Sequence, residues 1–260
     1  MNDASLVFAG FITVRTGSTR LPNKWDLKIG GRRMIEHIID RTKLIRGMDK
    51  IILCTSTDSA DDILEQIAND NHIDCYRGSL EDKLARWKGA AEKFGVDYIV
   101  TVDGDDPFFG TELLEAAITQ MKNDPCDFLA VPDGLVCGGA EFCFSVPALK
   151  RVCEIKDTSD TEMMWVYFIK TGLFKVRDLK VEDKIYFNDY TRLTLDYIED
   201  FNFFERVFEE FHADKNNIPL KSILELLERK PEIAKINYFR QQEFLDNQKK
   251  KTKLVLKTNL

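Results

Sequence analysis

The most chemically loaded stretch of the chain is Arg15-Thr16-Gly17-Ser18-Thr19-Arg20-Leu21-Pro22-Asn23-Lys24. Arg15, Arg20 and Lys24 offer fixed positive charge, Thr16, Ser18 and Thr19 offer hydroxyls, Gly17 lets backbone approach a ligand, and Pro22 stiffens the exit. A triphosphate needs such groups: cations, hydroxyl donors and bare backbone N–H groups. The text is neither GxGxxG nor GxxxxGK[ST], which disfavours a dinucleotide-binding Rossmann enzyme and a P-loop ATPase. A solvated basic turn has the same composition, so the residues alone leave both readings open. Further on, Asp103-Gly104-Asp105-Asp106-Pro107 spells a DxD, a short motif for a metal–nucleotide-sugar that also marks ordinary solvated turns.

These groups need elements to position them. Residues 6–14 form an apolar run that predicts a buried strand, and the basic loop follows at its carboxyl end. Met34, Ile35, Ile38 and Ile39 then fall on one helical face; residues 51–54 predict a strand, 61–69 a helix, and 74–77 a weak strand. Residues 80–94 predict a strong helix with Ser79 as N-cap and Asp82 at its third position. Strands over 98–102 and 127–131 flank a helix over 111–123. This alternation predicts an α/β fold with a mostly parallel sheet, doubly wound by right-handed crossovers. Ligands of such sheets sit beyond the carboxyl ends of the strands, where residues 15–24 and 103–107 both fall. The second half is less regular: strand candidates at 141–145, 174–179 and 192–195, helices at 147–155, 198–211 and 221–229, and an ambiguous 163–170. Phe201, Phe203, Phe204, Phe208 and Phe211 recur at near-helical spacing and predict core or subunit packing.

Residues 11–24, FITVRTGSTRLPNK, closely resemble the N-terminal signature RxGSxRLPxK of the cytidylyltransferases that make CMP-activated acidic sugars. The resemblance continues through GGRRMIEH (30–37), CTSTD (54–58), YRGSLED (76–82), VDGDDPF (102–108) and LTLDYIED (193–200). It is nearest the SpsF-like branch of spore-coat polysaccharide biosynthesis. The resemblance implies a Rossmann-like sheet of the nucleotide-diphospho-sugar transferase (GT-A) type with an irregular insertion in the second half. No Pro/Gly-rich linker divides the chain, which turns polar and then basic from Gln241, so one nucleotidyltransferase domain is expected over residues 1–237 with a polar, basic C-terminal helix or tail over 238–260. Position by position, Arg15, Gly17, Ser18, Arg20 and Lys24 match residues that hold the triphosphate, with Arg15 and Lys24 also stabilising charge in the reaction. Asp105 and Asp196 match the carboxylates that bind Mg²⁺, and Thr55 and Ser56 match residues lining the nucleotide pocket. Arg77 stands where relatives of the Kdo and sialate branches carry SGTDR, and Arg192 precedes Asp196; both are acceptor-binding candidates. The implied reaction is Mg²⁺-dependent transfer of CMP from CTP to an acidic sugar or similar anionic acceptor, with release of pyrophosphate. A GT-A glycosyltransferase using the DxD is the alternative. A homodimer joined through residues 133–190 is also implied.

Both metal carboxylates are expected exposed at the sheet rim. Asp103 departs from the Gln of many CMP-Kdo synthetases, and Ile198 replaces the Pro of their DTPED, at a small loss of helix-start preference. Composition excludes other classes. The 260 residues carry 37 Lys and Arg against 44 Asp and Glu, a net charge of −7 that argues against a general nucleic-acid binder. No apolar stretch reaches membrane-spanning length, and the N-terminus lacks a signal peptide's charged region, so no membrane partner and a cytoplasmic location are expected. Six cysteines without CxxC or Cys/His metal spacing read as structural or incidental thiols, with Cys54 and Cys126 inside apolar runs. His37 reads as a helix-surface or partly buried histidine rather than a base.

Overall fold

The computed structural model describes residues 6–212 and 217–258. In chain order the strands and α-helices are β1 (Phe8–Thr13), β2 (Lys28–Ile29), β3 (Arg32–Arg33), α1 (Met34–Thr42), β4 (Lys50–Ser56), α2 (Asp62–Asp70), β5 (Asp74–Gly78), α3 (Lys83–Phe94) and β6 (Tyr98–Asp103). They continue with α4 (Thr111–Asn123), β7 (Phe128–Ala130), β8 (Cys143–Ser145), α5 (Val146–Ile155), α6 (Trp165–Ile169), β9 (Val176–Asp178), α7 (Ile198–Phe211), α8 (Leu220–Arg229), α9 (Pro231–Ala234) and α10 (Gln241–Lys251).

Seven strands make one sheet in the order β5-β4-β1-β6-β8-β7-β9. β5, β4, β1 and β6 are parallel, whereas β8 runs antiparallel to both β6 and β7. The mostly parallel, doubly wound sheet is therefore as expected. Alternation along β1 shows why both faces must be covered: Phe8 and Ile12 pack with α1, α4, α7 and α8, while Ala9 and Phe11 pack with α3 and α5 on the other side. Phe203, Phe204 and Phe208 of α7 are buried in the first core, each contributing about 1.5–3 kcal/mol of burial.

Local chemistry sets the helix ends that matter for the site. The Asp82 carboxylate, not Ser79, caps α3 by accepting from Ala85 N at 3.0 Å, and Gly95 ends that helix at φ 64°. Ser79 sits one turn earlier, its hydroxyl accepting from Asp82 N at 3.1 Å. The ambiguous segment resolves into α6, since Val166, Tyr167 and Phe168 are all buried. Residues 192–195 do not join the sheet. They are an extended stretch held by an isolated bridge from Arg192 to Cys137 and by Leu195 N donating to the Asp105 carbonyl at 2.7 Å.

Candidate active site

Parallel pairing brings Thr13, Cys54 and Asp103 into one row, so the segments after β1, β4 and β6 leave the sheet at the same edge. Above that edge lies a cleft of about 700 Å³, within the range of small-ligand sites. Arg15, Gly17, Ser18, Arg20 and Lys24 line it, as do Asp103, Asp105, Asp106 and Asp196. Gly17 has nothing within 4 Å of where a Cβ would stand, leaving its backbone open to a ligand. Gly104 has the opposite reason: a Cβ there would meet Val14 Cβ at 2.7 Å and the Thr13 carbonyl at 2.8 Å. The loop after β6 can therefore touch the loop after β1 only without a side chain at that position.

The basic loop is braced from below by a residue the motifs did not single out. Asp61 Oδ1 accepts from both Thr16 N and Thr16 Oγ1 at 2.8 Å, and Asp61 Oδ2 accepts from Thr55 Oγ1 at 3.0 Å and Ser56 Oγ at 2.5 Å. Burial pushes the Asp61 carboxyl up, but the hydrogen bonds from Ser56, Thr16 and Thr55 outweigh it and hold it below the ordinary carboxylate value. Thr55 and Ser56 are thus buried supports that fix the loop through Asp61, and they do not line the cleft. Arg15 extends across to donate to the Leu80 carbonyl at 2.6 Å. At the loop's end Asn23 takes a left-handed turn (φ 54°), a conformation Asn tolerates, and the chain then presents Lys24 to the cleft.

Lys24 is the hub. Its ammonium donates to Asp105 Oδ2 at 2.6 Å, to Asp196 Oδ1 at 3.2 Å and to the Leu195 carbonyl at 2.8 Å. Arg20 donates to the same Asp196 oxygen, and Arg192 donates to Asp196 Oδ2 at 3.0 Å. Burial pushes Asp196 up, yet Lys24, Arg20 and Arg192 outweigh it and hold the carboxyl at about 2. Asp196 is 1% exposed, so it lies inside the structure rather than exposed at the rim. Asp105 keeps some exposure; there burial and the neighbouring Asp196 and Asp103 charges prevail over Lys24 and raise the carboxyl.

Deeper in the cleft Asp106 and Glu141 share a carboxyl–carboxyl hydrogen bond. Burial, with the charges of Asp105 and Asp103, pushes Asp106 up to about 8, and burial with the charges of Asp103 and Asp106 raises Glu141 well above its ordinary value. The pair holds a proton at neutral pH. Asp106 was visible only as part of GDDP, and Glu141 carried no signal, because its partner is 35 residues away (141 − 106). Asp103 pairs with Lys83 at 3.2 Å, whose ammonium also lies 4.8 Å over the Trp87 ring.

Both acceptor candidates lie elsewhere. Arg77 clamps β5 to the segment after β4 through Asp62 (2.6 Å), Glu65 (3.1 Å) and the Ser56 carbonyl (3.0 Å), outside the residues lining the cleft. Arg192 is 0% exposed, lies outside the residues lining the cleft, and its donors go to Asp196, Asp200 and Gln241. His37 is fully buried, with Nε2 2.9 Å from the Ile29 carbonyl and burial lowering its pKa, so it is a core residue and not a helix-surface one. The C-terminal segment is also part of the site. Gln241, Phe244, Leu245, Gln248 and Lys251 of α10 line the cleft, and Lys251 reaches Glu162 at 3.1 Å.

The fold is thus an α/β sheet with two carboxylates converging on one ammonium beside a cationic loop, at the carboxyl ends of its strands. The chain matches the cytidylyltransferase family model over residues 9–251 and belongs to that family, as a nucleotidyltransferase. It is 26% identical to the spore coat polysaccharide biosynthesis protein SpsF of Bacillus subtilis, over 90% of this chain and 98% of that one. In fold it is similar to a cytidylyltransferase of Leptospira borgpetersenii, with a TM-score of 0.80 at 24% identity over 88% of this chain and 97% of that one. It is also similar to a CMP:2-keto-3-deoxy-manno-octonic acid synthetase complexed with CTP, with a TM-score of 0.61 at 14% identity over 79% and 99%.

Proposed function

We propose that the chain transfers CMP from CTP to an acidic sugar or similar anionic acceptor in a Mg²⁺-dependent reaction. The observation that carries this reading is Lys24 bridging Asp105 and Asp196 at the end of the basic loop. Two carboxylates within hydrogen-bond reach of one cation suit a hard divalent ion, since Mg²⁺ takes one or two protein carboxylates and completes its shell with phosphate oxygens and water. Asp105 and Asp196 would hold the ion, which would supply charge neutralisation on the phosphates.

The chain's own residues account for the rest. Arg15, Ser18, Arg20 and the Gly17 backbone bind and orient the triphosphate. Lys24, whose ammonium stands between Asp105 and Asp196, would also be placed to donate to phosphate oxygens. An acceptor hydroxyl oxygen then bonds to the α-phosphorus, its proton passes to water, and the bond to pyrophosphate breaks. Positioning those atoms in line is most of what the cleft contributes. Asp103 and Asp105 pair with different lysines, Lys83 and Lys24, which favours this reading over a glycosyltransferase in which both aspartates of a DxD serve one metal.

Thermal melts with CTP, UTP, ATP and GTP, each with and without Mg²⁺, test the reading. CTP at 100 times its Kd adds about 2.7 kcal/mol of stability. The largest shift is expected for CTP with Mg²⁺, followed by pyrophosphate release on adding an acidic sugar. A preference for UTP or UDP-sugars would move the assignment to the glycosyltransferase, and no shift with any nucleotide would overturn both. The same reading includes a cytoplasmic homodimer, for which light scattering at assay concentration should return twice 30.0 kDa. Among the described residues no helix is long and apolar enough to cross a membrane.

A further inference from the structure

Helix α10 is an odd helix by packing criteria. None of its side chains is buried, and an eleven-residue helix without such burial is marginal in water. Pins at both ends hold it. Arg240, just before it, pairs with Glu199 at 2.8 Å and lies 4.8 Å over the Tyr197 ring. Beyond Lys251 and its partner Glu162, the Val255 carbonyl accepts from Asp157 N and Lys257 N donates to the Ile155 carbonyl, both at 3.0 Å. Between the pins, positions 241, 244, 245, 248 and 251 turn one helical face to the cleft.

That face meets Arg192. Gln241 Oε1 accepts from Arg192 Nη1 at 3.2 Å, and the Phe244 ring centroid lies 4.4 Å from the guanidinium. On its inner side Arg192 donates to Asp200 at 2.9 and 3.2 Å and to Asp196 Oδ2 at 3.0 Å. Asp200 is fixed in turn by Asn237 Nδ2 at 2.9 Å and by the N–H groups of Asp196 and Tyr197 at 2.8 and 2.9 Å. Arg192 is therefore held on one edge by Asp200 and roofed by α10, which keeps water off its bond to Asp196. A charge-assisted bond is strongest when dry.

We propose that α10 is an active-site element in which Gln241 and Phe244 are positioning residues for Asp196, acting through Arg192. Arg192 fixes Oδ2 of Asp196 and so aims Oδ1 at the point where Lys24 and Asp105 converge. Without Phe244 and Gln241 the guanidinium face opens to water in the cleft, and Asp196 loses a fixed donor. This inference rests on Asp196 being a metal carboxylate in the function proposed above. Partners bonded directly to a metal ligand, as Arg192 is to Asp196, commonly change metal affinity by about 10–100-fold, and Gln241 and Phe244 act by holding that partner.

The test is Mn²⁺ titration of the full chain with CTP present, following the electron paramagnetic resonance signal of free Mn²⁺, beside CTP affinity measured in EDTA. Phe244→Ala and Gln241→Ala are expected to weaken Mn²⁺ binding roughly tenfold or more while leaving metal-free CTP affinity unchanged, with Phe244→Tyr restoring it. Gln242→Ala, which removes an amide bonded to Asp246 on the same helix, should match wild type. Gln241→Ala removes no buried side chain and keeps the test readable if Phe244→Ala fails to fold. Variants that hold Mn²⁺ as wild type does, or that lose metal-free CTP in the same proportion, overturn the positioning role alone. A wild-type chain that takes up no Mn²⁺ with CTP overturns the metal reading of Asp196, and this inference with it.

Discussion

Replacing Asp196 by Asn keeps the shape of the side chain and removes its charge from among Lys24, Arg20 and Arg192. The three cations outweigh the burial that opposes ionisation and hold the carboxyl at about 2, against an ordinary 3.8, a difference of about 2 kcal/mol in favour of the folded state. The Asn amide must in addition point its NH₂ at a guanidinium or an ammonium, leaving a buried donor facing donors at a further cost of about 1–2 kcal/mol. The expected loss is about 3–4 kcal/mol at pH 7, which lowers Tm by roughly 10 °C in a chain of this size. Because folding lowers the pKa, the unfolded chain takes up the proton first as pH falls. The charge contribution is complete above about pH 4 and disappears as pH drops through about 2. Urea unfolding of wild type and variant from pH 7 down to pH 2.5 reads the gap directly. It should narrow by about 1.5 kcal/mol over that range, roughly two thirds of the charge contribution. A gap below about 0.5 kcal/mol at pH 7, or one independent of pH, would refute the account of Asp196 as a buried, triply paired anion.

Lys24→Met frees Asp105 and Asp196 from their shared ammonium, so the variant should bind Mn²⁺ more tightly without nucleotide while pyrophosphate release falls by about 10²–10³-fold; calorimetry and a coupled phosphate assay read the two effects. Asp106 keeps a proton in the folded chain that the unfolded chain releases above about pH 4, so wild-type stability should fall with rising pH until Asp106 ionises near 8. Melting curves of Asp106→Asn should be flatter across pH 5–8, and identical slopes would remove the protonated pair from the account. Arg77→Met should cost no more than about 1 kcal/mol, because its Asp62 and Glu65 partners are well exposed, and should leave the KM for an acidic-sugar acceptor unchanged. A raised KM would return Arg77 to the acceptor site.

Much of the fold was legible because its signals are local. The buried runs of β1, β4 and β6 and the apolar faces of α1, α3 and α4 each lie within a dozen or so residues, and period alone separates strand from helix. In the second half the elements were legible but their arrangement was not. The candidates over 127–131, 141–145 and 174–179 cover β7, β8 and β9, but strands of three residues do not state their pairing, and the direction of β8 is set by partners on both sides. Residues 192–195 have the apolar text of a strand, yet their backbone bonds go to loops at Cys137 and Asp105.

The sequence by itself determined the cationic loop, the carboxylates Asp105 and Asp196, and the strand ends that carry the loop and Asp105, because motif residues and the strands beside them are neighbours in the chain. Only the tertiary structure decided which charges meet. Arg192, four residues from Asp196, faces inward to serve it, and Thr55 and Ser56 face Asp61 rather than a ligand. Arg77 is spent on Asp62 and Glu65, Asp106 shares a proton with Glu141, and a polar C-terminal helix lies over the cleft. Each of these depends on distances between segments far apart in the chain. A side chain's charge is written in the sequence, but the partner that satisfies it is chosen by packing.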